Sequence, residues 1–552
     1  MDINGAELIT RYLERQGVTH VAGIPGGALL PLYRALDDSR LLHVLARHEQ
    51  GAGFVAQGMA RVSGRAGVCL ATSGPGVTNI LTALADAKAD SVPLVCIAGQ
   101  VPRPLIGTDA FQEIRTGYLV DSVTKAHFEV RAAEDLLDVL PEAFRIAESG
   151  RKGPVVIEVP KDVQTERLKI AGLPPPTRPD PALEPDADAV ARAVELIDAA
   201  QRPVLYLGGG VTAARAHWRA RALAERAGLP TTMTLMALGA MPYDHPLSLG
   251  MLGMHGARST NHAIEESDLL IAVGARFDDR ATGRADRFAP RARVIHIDTD
   301  THELGKLRRA DVTIEADAAA ALAALTEAVR QQPRRQWHAR IAQLRREMPD
   351  DLEGIDDVRR PAGLVAATAA ALGPDAIVTT DVGQHQMWAA QHFPFTQPQN
   401  WLTSGGLGTM GFGLPAAIGA ALAAPERPVV CFSGDGSMLM NLQELATLAD
   451  LQLDVKVVVM DNAALGLVHQ QQQLFFQRRT VGSLYQQPPA LCAIAEAFGM
   501  PAIDLGATRD PAMVLGEALR QPGPMLIRAP IATDEQVLPM VIPGRANTET
   551  VH

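Results

Sequence analysis

Residues 429–462 read VVCFSGDGSMLMNLQELATLADLQLDVKVVVMDN. An aliphatic run ends in a glycine-rich turn, a helical segment follows, and a second aliphatic run ends in Asp461-Asn462. This strand–helix–strand unit predicts two neighbouring parallel strands that are buried on both faces of a sheet. In such sheets ligands bind beyond the carboxyl ends of the strands, so the turns after these two strands are the first candidates for a site.

The same succession of strand, glycine-rich turn and helix recurs in three blocks of the chain. Strands are predicted at 68–71, 94–98 and 155–159, at 204–207, 269–273 and 294–297, and at 376–379, 429–432 and 455–460. Alternation of buried strands with helices is typical of α/β proteins. The predicted fold is therefore α/β, with three doubly wound parallel-sheet domains.

Two stretches rich in Pro and acidic residues separate the blocks and predict linkers. A length of 552 residues also suits three or four domains. The predicted division is 1–170, 189–347 and 363–535 for the domains, 171–188 and 348–362 for the linkers, and 536–552 for a C-terminal tail.

Composition narrows the function classes. Hydrophobic residues make up 47% and charged residues 20%, which excludes disordered and fibrous proteins. A net charge of −11 with no long basic tract argues against nucleic acid and anionic membranes as partners. The uncharged stretch 408–425 is broken by glycines and Pro415 and is a poor membrane span. The four cysteines lie in apolar runs without metal-like spacing, and the N-terminus does not resemble a signal peptide, so we expect a cytoplasmic protein.

Asp435 and Asn462 follow the two strands of the opening stretch. Carboxylate and amide oxygens suit Mg²⁺, which takes one or two protein carboxylates and completes its shell with phosphate oxygens and water. The glycines beside Asp435 let backbone N–H groups approach a phosphate, and a helix expected from about Met438 adds its positive end. Either motif alone could be a plain turn or a helix cap; together they predict a metal and phosphate site formed by Gly434, Asp435, Gly436, Ser437 and Asn462.

GDG followed about 25 residues later by Asn resembles the diphosphate motif of thiamine-diphosphate (ThDP) enzymes. The resemblance implies that Asp435 and Asn462 bind Mg²⁺ together with a main-chain carbonyl near Ala464. It also implies that Met410 props ThDP in its bent form. The other implied ThDP contacts are Gly383, Gln384, His385 and Gly408.

Glu49 lies in RHEQGA, after a strand predicted at 41–46 and before a helix of small residues. In isolation such a carboxylate is more often a charge at a helix N-terminus. RHEQGA, however, resembles the activating-glutamate motif of ThDP enzymes, which implies that Glu49 holds the aminopyrimidine in its imino form while the C2 proton is removed. That task requires an apolar, water-poor setting.

The middle block carries Gly208-Gly209-Gly210 after a predicted strand, which alone is a weak dinucleotide signal. GMLGMHG (250–256), GARFDDR (274–280) and Asp298 add further glycines, an arginine for phosphate and aspartates for hydroxyls. The set resembles the FAD site of acetohydroxyacid synthase, also called acetolactate synthase. The implied FAD ligands are Gly208, Gly209, Gly210, Gly253, Met254, His255, Gly274, Arg276, Asp278, Arg280, Asp298 and Asp317.

Further segments carry the same resemblance along nearly the whole chain. They are PGGA (25–28), ATSGPGVTN (71–79), GTDAFQE (107–113), TTDVGQHQMWAAQH (379–392) and QQLFF (472–476). The implied reaction decarboxylates pyruvate on ThDP and joins the remaining two-carbon unit to a second 2-keto acid, pyruvate or 2-ketobutyrate, in branched-chain amino-acid synthesis. Arg276 would bind the acceptor carboxylate. Gly27, Phe111, Gln112, Lys161 and Val382 would complete the substrate pocket.

The resemblance implies a ThDP site between the first domain of one subunit and the third domain of another, hence a homodimer or a dimer of dimers, with a small regulatory subunit as a further partner. A flavin- and ThDP-dependent pyruvate oxidase or a related decarboxylase is the alternative enzyme. A catalytically silent scaffold is the alternative outside enzymes.

Gln471 departs from the family pattern, which has Trp immediately before QQLFF. In the family that indole packs against the extra methyl group of 2-ketobutyrate. Gln is flexible and carries an amide that needs hydrogen bonds, so it does not offer the same dry surface. We therefore expect acetolactate synthesis with little preference for 2-ketobutyrate, unless a neighbour such as Met254 or Phe111 restores the wall.

Overall fold

The computed structural model describes residues 1–350 and 352–551. Three six-stranded sheets, one in each block, form its framework, and all strand pairs within them are parallel. Both faces are buried: in one strand, Val68 and Leu70 join one core cluster, whereas Cys69 and Ala71 join another. The predicted α/β fold with three doubly wound sheets is confirmed.

The first block begins with a short strand, and its sheet runs in the order β3-β2-β4-β5-β7-β6. Its strands are β1 (Asp2–Asn4), β2 (His20–Gly23), β3 (Leu42–Leu45), β4 (Gly67–Ala71), β5 (Leu94–Gln100), β6 (Ala126–Glu129), β7 (Pro154–Pro160) and β8 (Arg167–Lys169). Its helices are α1 (Gly5–Gln16), α2 (Leu30–Asp37), α3 (Glu49–Ser63), α4 (Pro75–Ala89), α5 (Thr116–Val120), α6 (Leu136–Glu148) and α7 (Lys161–Thr165). Antiparallel pairing of β1 with β8 ties the two ends of this block together.

The middle block has the sheet order β11-β10-β9-β12-β13-β14. Its strands are β9 (Pro203–Leu207), β10 (Thr231–Met233), β11 (Ser248–Met251), β12 (Leu269–Val273), β13 (Arg293–Asp298) and β14 (Val312–Glu315). Its helices are α8 (Ala187–Ala199), α9 (Gly209–Ala213), α10 (His217–Ala227), α11 (Arg258–Glu266), α12 (Asp279–Thr282), α13 (Ala318–Ala328) and α14 (Arg335–Glu347). Counted within the block this order is 3-2-1-4-5-6, the order of dinucleotide-binding sheets.

The third block has the sheet order β16-β15-β17-β18-β20-β19. Its strands are β15 (Ile377–Thr380), β16 (Trp401–Leu402), β17 (Val429–Gly434), β18 (Val455–Asp461), β19 (Ala502–Asp504) and β20 (Met525–Pro530), followed by β21 (Met540–Val541) and β22 (Thr550–Val551). Its helices are α15 (Pro361–Leu372), α16 (Gln384–His392), α17 (Gly413–Ala423), α18 (Asp435–Met438), α19 (Glu444–Leu451), α20 (Gly466–Phe475), α21 (Leu491–Ala497) and α22 (Pro511–Arg520). Within the block this order is 2-1-3-4-6-5, the same as in the first sheet.

The direction of strand succession reverses between β2 and β4, between β9 and β12, and between β15 and β17. At such a reversal the loops after the two strands diverge and leave a crevice, which is where open α/β sheets bind ligands. The glycine-rich turns at 25–28, 208–210 and 434–436 follow β2, β9 and β17, whereas Glu49 follows β3 and Asn462 follows β18, each the direct neighbour of a reversal strand.

Helix α3 joins the first block to the third by packing against α17. A Cβ on Gly58 would lie 2.2 Å from the carbonyl oxygen of Ala416, and a Cβ on Gly419 would lie 2.0 Å from that of Val55. Only glycine allows these two backbones to approach so closely. The small residues around Glu49 therefore serve the contact between the blocks.

The segment predicted as a C-terminal tail folds back onto the middle block. The Val541 N–H donates to the Met254 carbonyl (2.9 Å), and the Asn547 side chain donates to the Ala281 carbonyl (2.8 Å). Among the residues that the structure describes, no helix combines the length and apolarity needed to cross a membrane. All four cysteines are free thiols, and three are buried, as core packing predicts.

Candidate active site

Two buried acidic side chains meet at the carboxyl edge of the third sheet. Strands β17 and β18 are direct neighbours, as predicted, and place Asp435 and Asp461 side by side. Burial, and then the charge of Asp461, raise the pKa of Asp435 to about 7. Arg528 pairs with Asp461 at 2.6 Å, whereas Asp435 accepts the Ala464 N–H at 3.2 Å. A divalent cation would offset the repulsion between the two carboxylates.

The expected helix start at Met438 is wrong by one turn. The helical turn α18 begins at Asp435 itself and ends at Met438, and the longer helix α19 follows from Glu444. Glycine on both sides of Asp435 lets the chain turn directly out of the strand, so the backbone N–H groups of the first turn belong to the motif itself.

Asn462 and the predicted segment from Gly383 to His385 adjoin this edge. The Asn462 amide nitrogen donates to Gln384 Oε1 (3.0 Å), so the Asn462 side-chain oxygen is not used in this contact. His385 is buried, and burial lowers its pKa to about 3, so its ring is neutral. Among the described residues His385 Nε2 has no hydrogen-bond partner. A buried acidic pair beside an unpartnered ring nitrogen fits a metal-bound diphosphate.

Glu49 occupies the matching edge of the first sheet. It is the first residue of α3 and only 8% exposed, and Oε2 accepts a hydrogen bond from Asn79 (2.9 Å). Among the described residues no hydrogen bond or ion pair joins Glu49 to the Asp435 and Asn462 group. The structure thus brings the predicted metal-site residues together at the third sheet. Glu49 lies at the first sheet and, within the described part of the chain, does not bond to them.

The other predicted first-block residues lie at the same edge as Glu49. Gly27 follows β2, Phe111 and Gln112 follow β5, and Lys161 opens α7 after β7. Phe111 is 88% exposed, and Gln112 has a positive φ of 61° beside Gly74. Within one chain Gly27 and the Phe111 side chain are therefore exposed, whereas the side chains of Gln112 and Lys161 are half-buried.

A cavity of about 730 Å³ lies between the three blocks. It unites most of the predicted FAD residues with several substrate and ThDP residues: Gly208, Gly209, Gly210, Met254, His255, Gly274, Arg276, Asp278, Arg280, Asp298, Asp317, Val382, Gly408 and Gln471. Gly253 lies just behind this wall, where a Cβ would lie 2.4 Å from the Arg280 carbonyl oxygen. Arg276 is held at the border with the first block by donating to the Ala89 carbonyl (3.2 Å).

The floor of the cavity is formed by two glycine turns in contact, at the point where the middle sheet reverses. A Cβ on Gly208 would lie 2.1 Å from the Gly274 carbonyl oxygen, and a Cβ on Gly210 would lie 2.6 Å from the Gly274 Cα. Side chains are thereby excluded where a dinucleotide phosphate would approach the backbone. The cavity, its sheet order and its glycines fit a flavin dinucleotide.

The predicted aspartates of this cavity are already engaged with backbone N–H groups through one oxygen each. Asp278 Oδ1 caps α12, Asp317 Oδ1 caps α13, and Asp298 Oδ1 accepts from Asp300 (2.9 Å). These contacts fix the side chains and leave the second oxygen of each for a ligand. Burial lowers the pKa of His255 to about 4, so it faces the cavity as a neutral ring.

A polar clasp that the sequence reasoning missed holds the segment before Met410. Asp90 accepts from the N–H groups of Gly405 (3.1 Å) and Gly406 (2.6 Å), and Asp86 accepts from Thr409 (3.1 Å). Arg61 pairs with Asp90 at 2.8 Å. The only sequence signal is the four-residue spacing of Asp86, in the last turn of α4, and Asp90, directly after it, because their partners in the segment 405–409 lie more than 300 residues away.

Sequence profiles of the thiamine pyrophosphate enzyme family match all three blocks. The N-terminal TPP binding domain matches residues 3–119, the central domain 190–325 and the C-terminal TPP binding domain 381–529. Fold and site together therefore define a thiamine-diphosphate-dependent enzyme.

Curated relatives resolve the group within that class. The acetolactate synthase isozyme 1 large subunit of Escherichia coli (strain K12) is 55% identical over 99% of this chain and 97% of its own length. The isozyme 2 large subunit of the same organism is 47% identical over 99% of each chain. A probable acetolactate synthase large subunit of Methanocaldococcus jannaschii is 42% identical over 100% of this chain and 95% of its own. The chain belongs to the acetolactate synthase large-subunit family, and its activity is the ThDP-dependent synthesis of acetolactate.

Proposed function

We propose that the chain converts two molecules of pyruvate to 2-acetolactate, and pyruvate with 2-ketobutyrate to 2-aceto-2-hydroxybutyrate, in the cytosolic synthesis of branched-chain amino acids. The observation that carries the proposal is the pair of matching sheet edges. The third sheet offers buried Asp435 with Asn462, and the first sheet offers buried Glu49. A metal-bound diphosphate needs the first group, and an activated pyrimidine ring needs the second.

We assign Mg²⁺ to the carboxylate of Asp435, the side-chain oxygen of Asn462 and the carbonyl oxygen of Ala464. The diphosphate would be held by the N–H groups of Gly434, Gly436 and Ser437 and by the segment from Gly383 to His385. The N–H groups of the glycine turn can bind the diphosphate directly, so the assignment does not depend on a dipole from the four-residue helix α18. When bound, ThDP supplies a carbon nucleophile and an electron sink for decarboxylation.

Glu49 keeps a proton at the pyrimidine ring. The Asn79 amide holds Oε2, so we assign Oε1 to the ring nitrogen. Burial at 8% exposure keeps water from competing for this contact and strengthens it. The low exposure of the Glu49 side chain supports the water-poor place that this role requires.

Arg276 is assigned to the carboxylate of the acceptor keto acid, and FAD to the cavity of the middle block. The planar guanidinium donates in a fork that matches a carboxylate. One of its nitrogens already contacts the Ala89 carbonyl, which fixes the direction of the fork. Val382 and Gln471 line the same cavity and would surround the small alkyl groups of the substrates.

We propose that a second copy of the chain completes the site. Gly27, Phe111, Gln112 and Lys161 lie with Glu49 at the carboxyl edge of the first sheet, where Glu49 is buried but Gly27 and Phe111 are exposed, and among the described residues no hydrogen bond joins Glu49 to Asp435 or Asn462. A homodimer or a dimer of dimers would apply this edge to the third block of the neighbour. The name "large subunit" of the relatives supports a small regulatory subunit as a further partner.

The test is acetolactate formation from pyruvate, with ThDP, Mg²⁺ and FAD omitted one at a time and oxygen uptake followed in parallel. We expect product only with ThDP and Mg²⁺, a loss of activity without FAD, and no oxygen consumption in proportion to product. Acetate formation with equal oxygen uptake would instead identify a pyruvate oxidase.

A further inference from the structure

Glu444, on α19 of the third block, reaches into the first block and is fully buried at 0% exposure. Its Oε1 accepts from the backbone N–H groups of Arg47 (3.0 Å) and His48 (3.1 Å). These two N–H groups directly precede Glu49, the first residue of α3. The N–H groups at a helix start lack partners within the helix, and the helix dipole favours a negative charge there.

The approach of this carboxylate depends on glycine at position 51. A Cβ on Gly51 would lie 2.3 Å from Glu444 Oε1. The other oxygen of Glu444 accepts from the hydroxyl of Thr447 (2.7 Å). Both oxygens are therefore engaged, and the carboxylate has one orientation.

We propose that Glu444 is a positioning residue for the reaction: it fixes the backbone that presents Glu49, from the third block of the same chain. This inference rests on the proposed role of Glu49. Asn79 holds the Glu49 side chain at Oε2, and Glu444 holds the main chain just before it. Glu444 follows Asp435 by only nine residues, so in the proposed dimer one short segment joins the metal edge of one site to the activating carboxylate of the neighbouring site.

The experiment measures hydrogen–deuterium exchange at C2 of ThDP bound to the holoenzyme with Mg²⁺ and FAD in D₂O, without substrate, by rapid quench and NMR. The melting temperature of the cofactor-free chain is recorded for every variant. The variants are Glu444→Ala, Glu444→Gln, Gly51→Ala, Glu49→Gln and Glu148→Ala. Glu148 is the matched control, because it is also buried and accepts a backbone N–H, that of Ala66 at 2.8 Å, within the first block.

We expect Glu444→Ala to slow exchange about 10–100-fold, since small displacements of catalytic groups cost factors of this size. Glu444→Gln should restore most of the rate, because its amide oxygen accepts the same two N–H bonds. Glu148→Ala should lower the melting temperature and leave exchange near the unmodified rate. Gly51→Ala should slow exchange as well, and it provides the test if Glu444→Ala does not fold.

The variants distinguish the positioning role of Glu444 from the activating role of Glu49. If Glu49→Gln exchanges at the unmodified rate, the proposed function of Glu49 fails and the inference fails with it. If Glu49→Gln is slow but both Glu444→Ala and Gly51→Ala exchange normally, only the positioning role is overturned. A loss of exchange in Glu444→Ala no larger than in Glu148→Ala overturns it too.

Discussion

The first and third sheets share the strand order 2-1-3-4-6-5, yet their carboxyl edges carry different chemistry. The first edge presents the carboxylate of Glu49 with an amide partner. The third presents Asp435 and Asp461 together, with Asn462 beside them. The shared order determines where each edge lies, and the side chains determine what it binds.

The middle sheet differs from both in its strand order, 3-2-1-4-5-6. Its reversal lies between β9 and β12, where Gly208 and Gly274 meet backbone to backbone. At the carboxyl edges of the first and third sheets, the distinguishing feature is the charge of the side chains. In the middle sheet, the distinguishing feature is the close approach of two main-chain turns. Substitutions that change charge alone or volume alone therefore test the comparison.

The largest effect is expected at the first edge. Glu49→Gln keeps the shape of the side chain and removes its acid, so acetolactate formation should fall about 10²–10⁴-fold. The ThDP concentration needed for half saturation should change little, because the third sheet holds the diphosphate. Steady-state kinetics at saturating Mg²⁺, with Glu148→Gln as the control, measure both quantities. Activity within tenfold of the unmodified chain would contradict the assignment.

At the third edge the expected effect is on metal binding. Asp435→Asn should raise the Mg²⁺ concentration for half activity about 10–100-fold, a loss that even outer partners produce at metal sites. The melting temperature of the metal-free chain should rise, because one of two adjacent buried charges is gone. Asp504→Asn, which changes another partner of Arg528, is the matched control. An unchanged Mg²⁺ requirement would separate Asp435 from the metal.

In the middle sheet, the volume at the contact between the two glycine turns should affect flavin retention. Gly208→Ala places a methyl group 2.1 Å from the Gly274 carbonyl oxygen and should weaken flavin retention about tenfold, in line with overpacking costs of about 1–3 kcal/mol. Gly516→Ala is the control, since Gly516 does not line the cavity and the nearest neighbours of its Cβ would be Arg520 atoms at 3.4 Å and beyond. Flavin absorbance per chain after dialysis is the measurement. Equal flavin loss in the two variants would contradict a role of the Gly208–Gly274 contact in flavin binding.

The smallest effect concerns the acceptor. Gln471 lines the cavity beside Leu467 and Val382, where an indole would add apolar surface. One buried methylene is worth about 0.8 kcal/mol, so Gln471→Trp should shift the product ratio toward 2-aceto-2-hydroxybutyrate about fourfold or more. The assay is competition between equal concentrations of pyruvate and 2-ketobutyrate. If the unmodified chain already favours the larger product as strongly as the variant, Gln471 is not the determinant.

Most of the fold could be predicted because its strands are uniform aliphatic runs. The nine strands predicted in the three blocks, and the strand before Glu49, are all present within two residues of the expected bounds. Strands of parallel sheets are buried on both faces and are therefore continuous aliphatic runs, so the local composition is enough to predict where each strand lies in the sequence. The helix start expected near Met438 lies three residues earlier, at Asp435, because glycine permits a helix to start directly at the strand end.

The candidate site could be predicted only as separate motifs. Asp435, Asn462 and Glu49 each follow a strand, and the family resemblance assigned them to one cofactor. The clasp of Asp86 and Asp90 on Gly405 and Gly406 joins groups more than 300 residues apart. No local pattern marks the backbone N–H groups that they bind.

The α/β class and the three sheets follow from the amino-acid sequence alone, since they depend on hydrophobic runs, and residue type at the strand ends yields the candidate reactive groups. The strand orders, the contact of Gly208 with Gly274 and the contact of Glu444 with the turn before Glu49 become visible only in the folded chain. The reason is physical: a strand is specified by its own residues, whereas a carboxylate accepting backbone N–H groups across a block boundary depends on how the helices α3 and α17 pack.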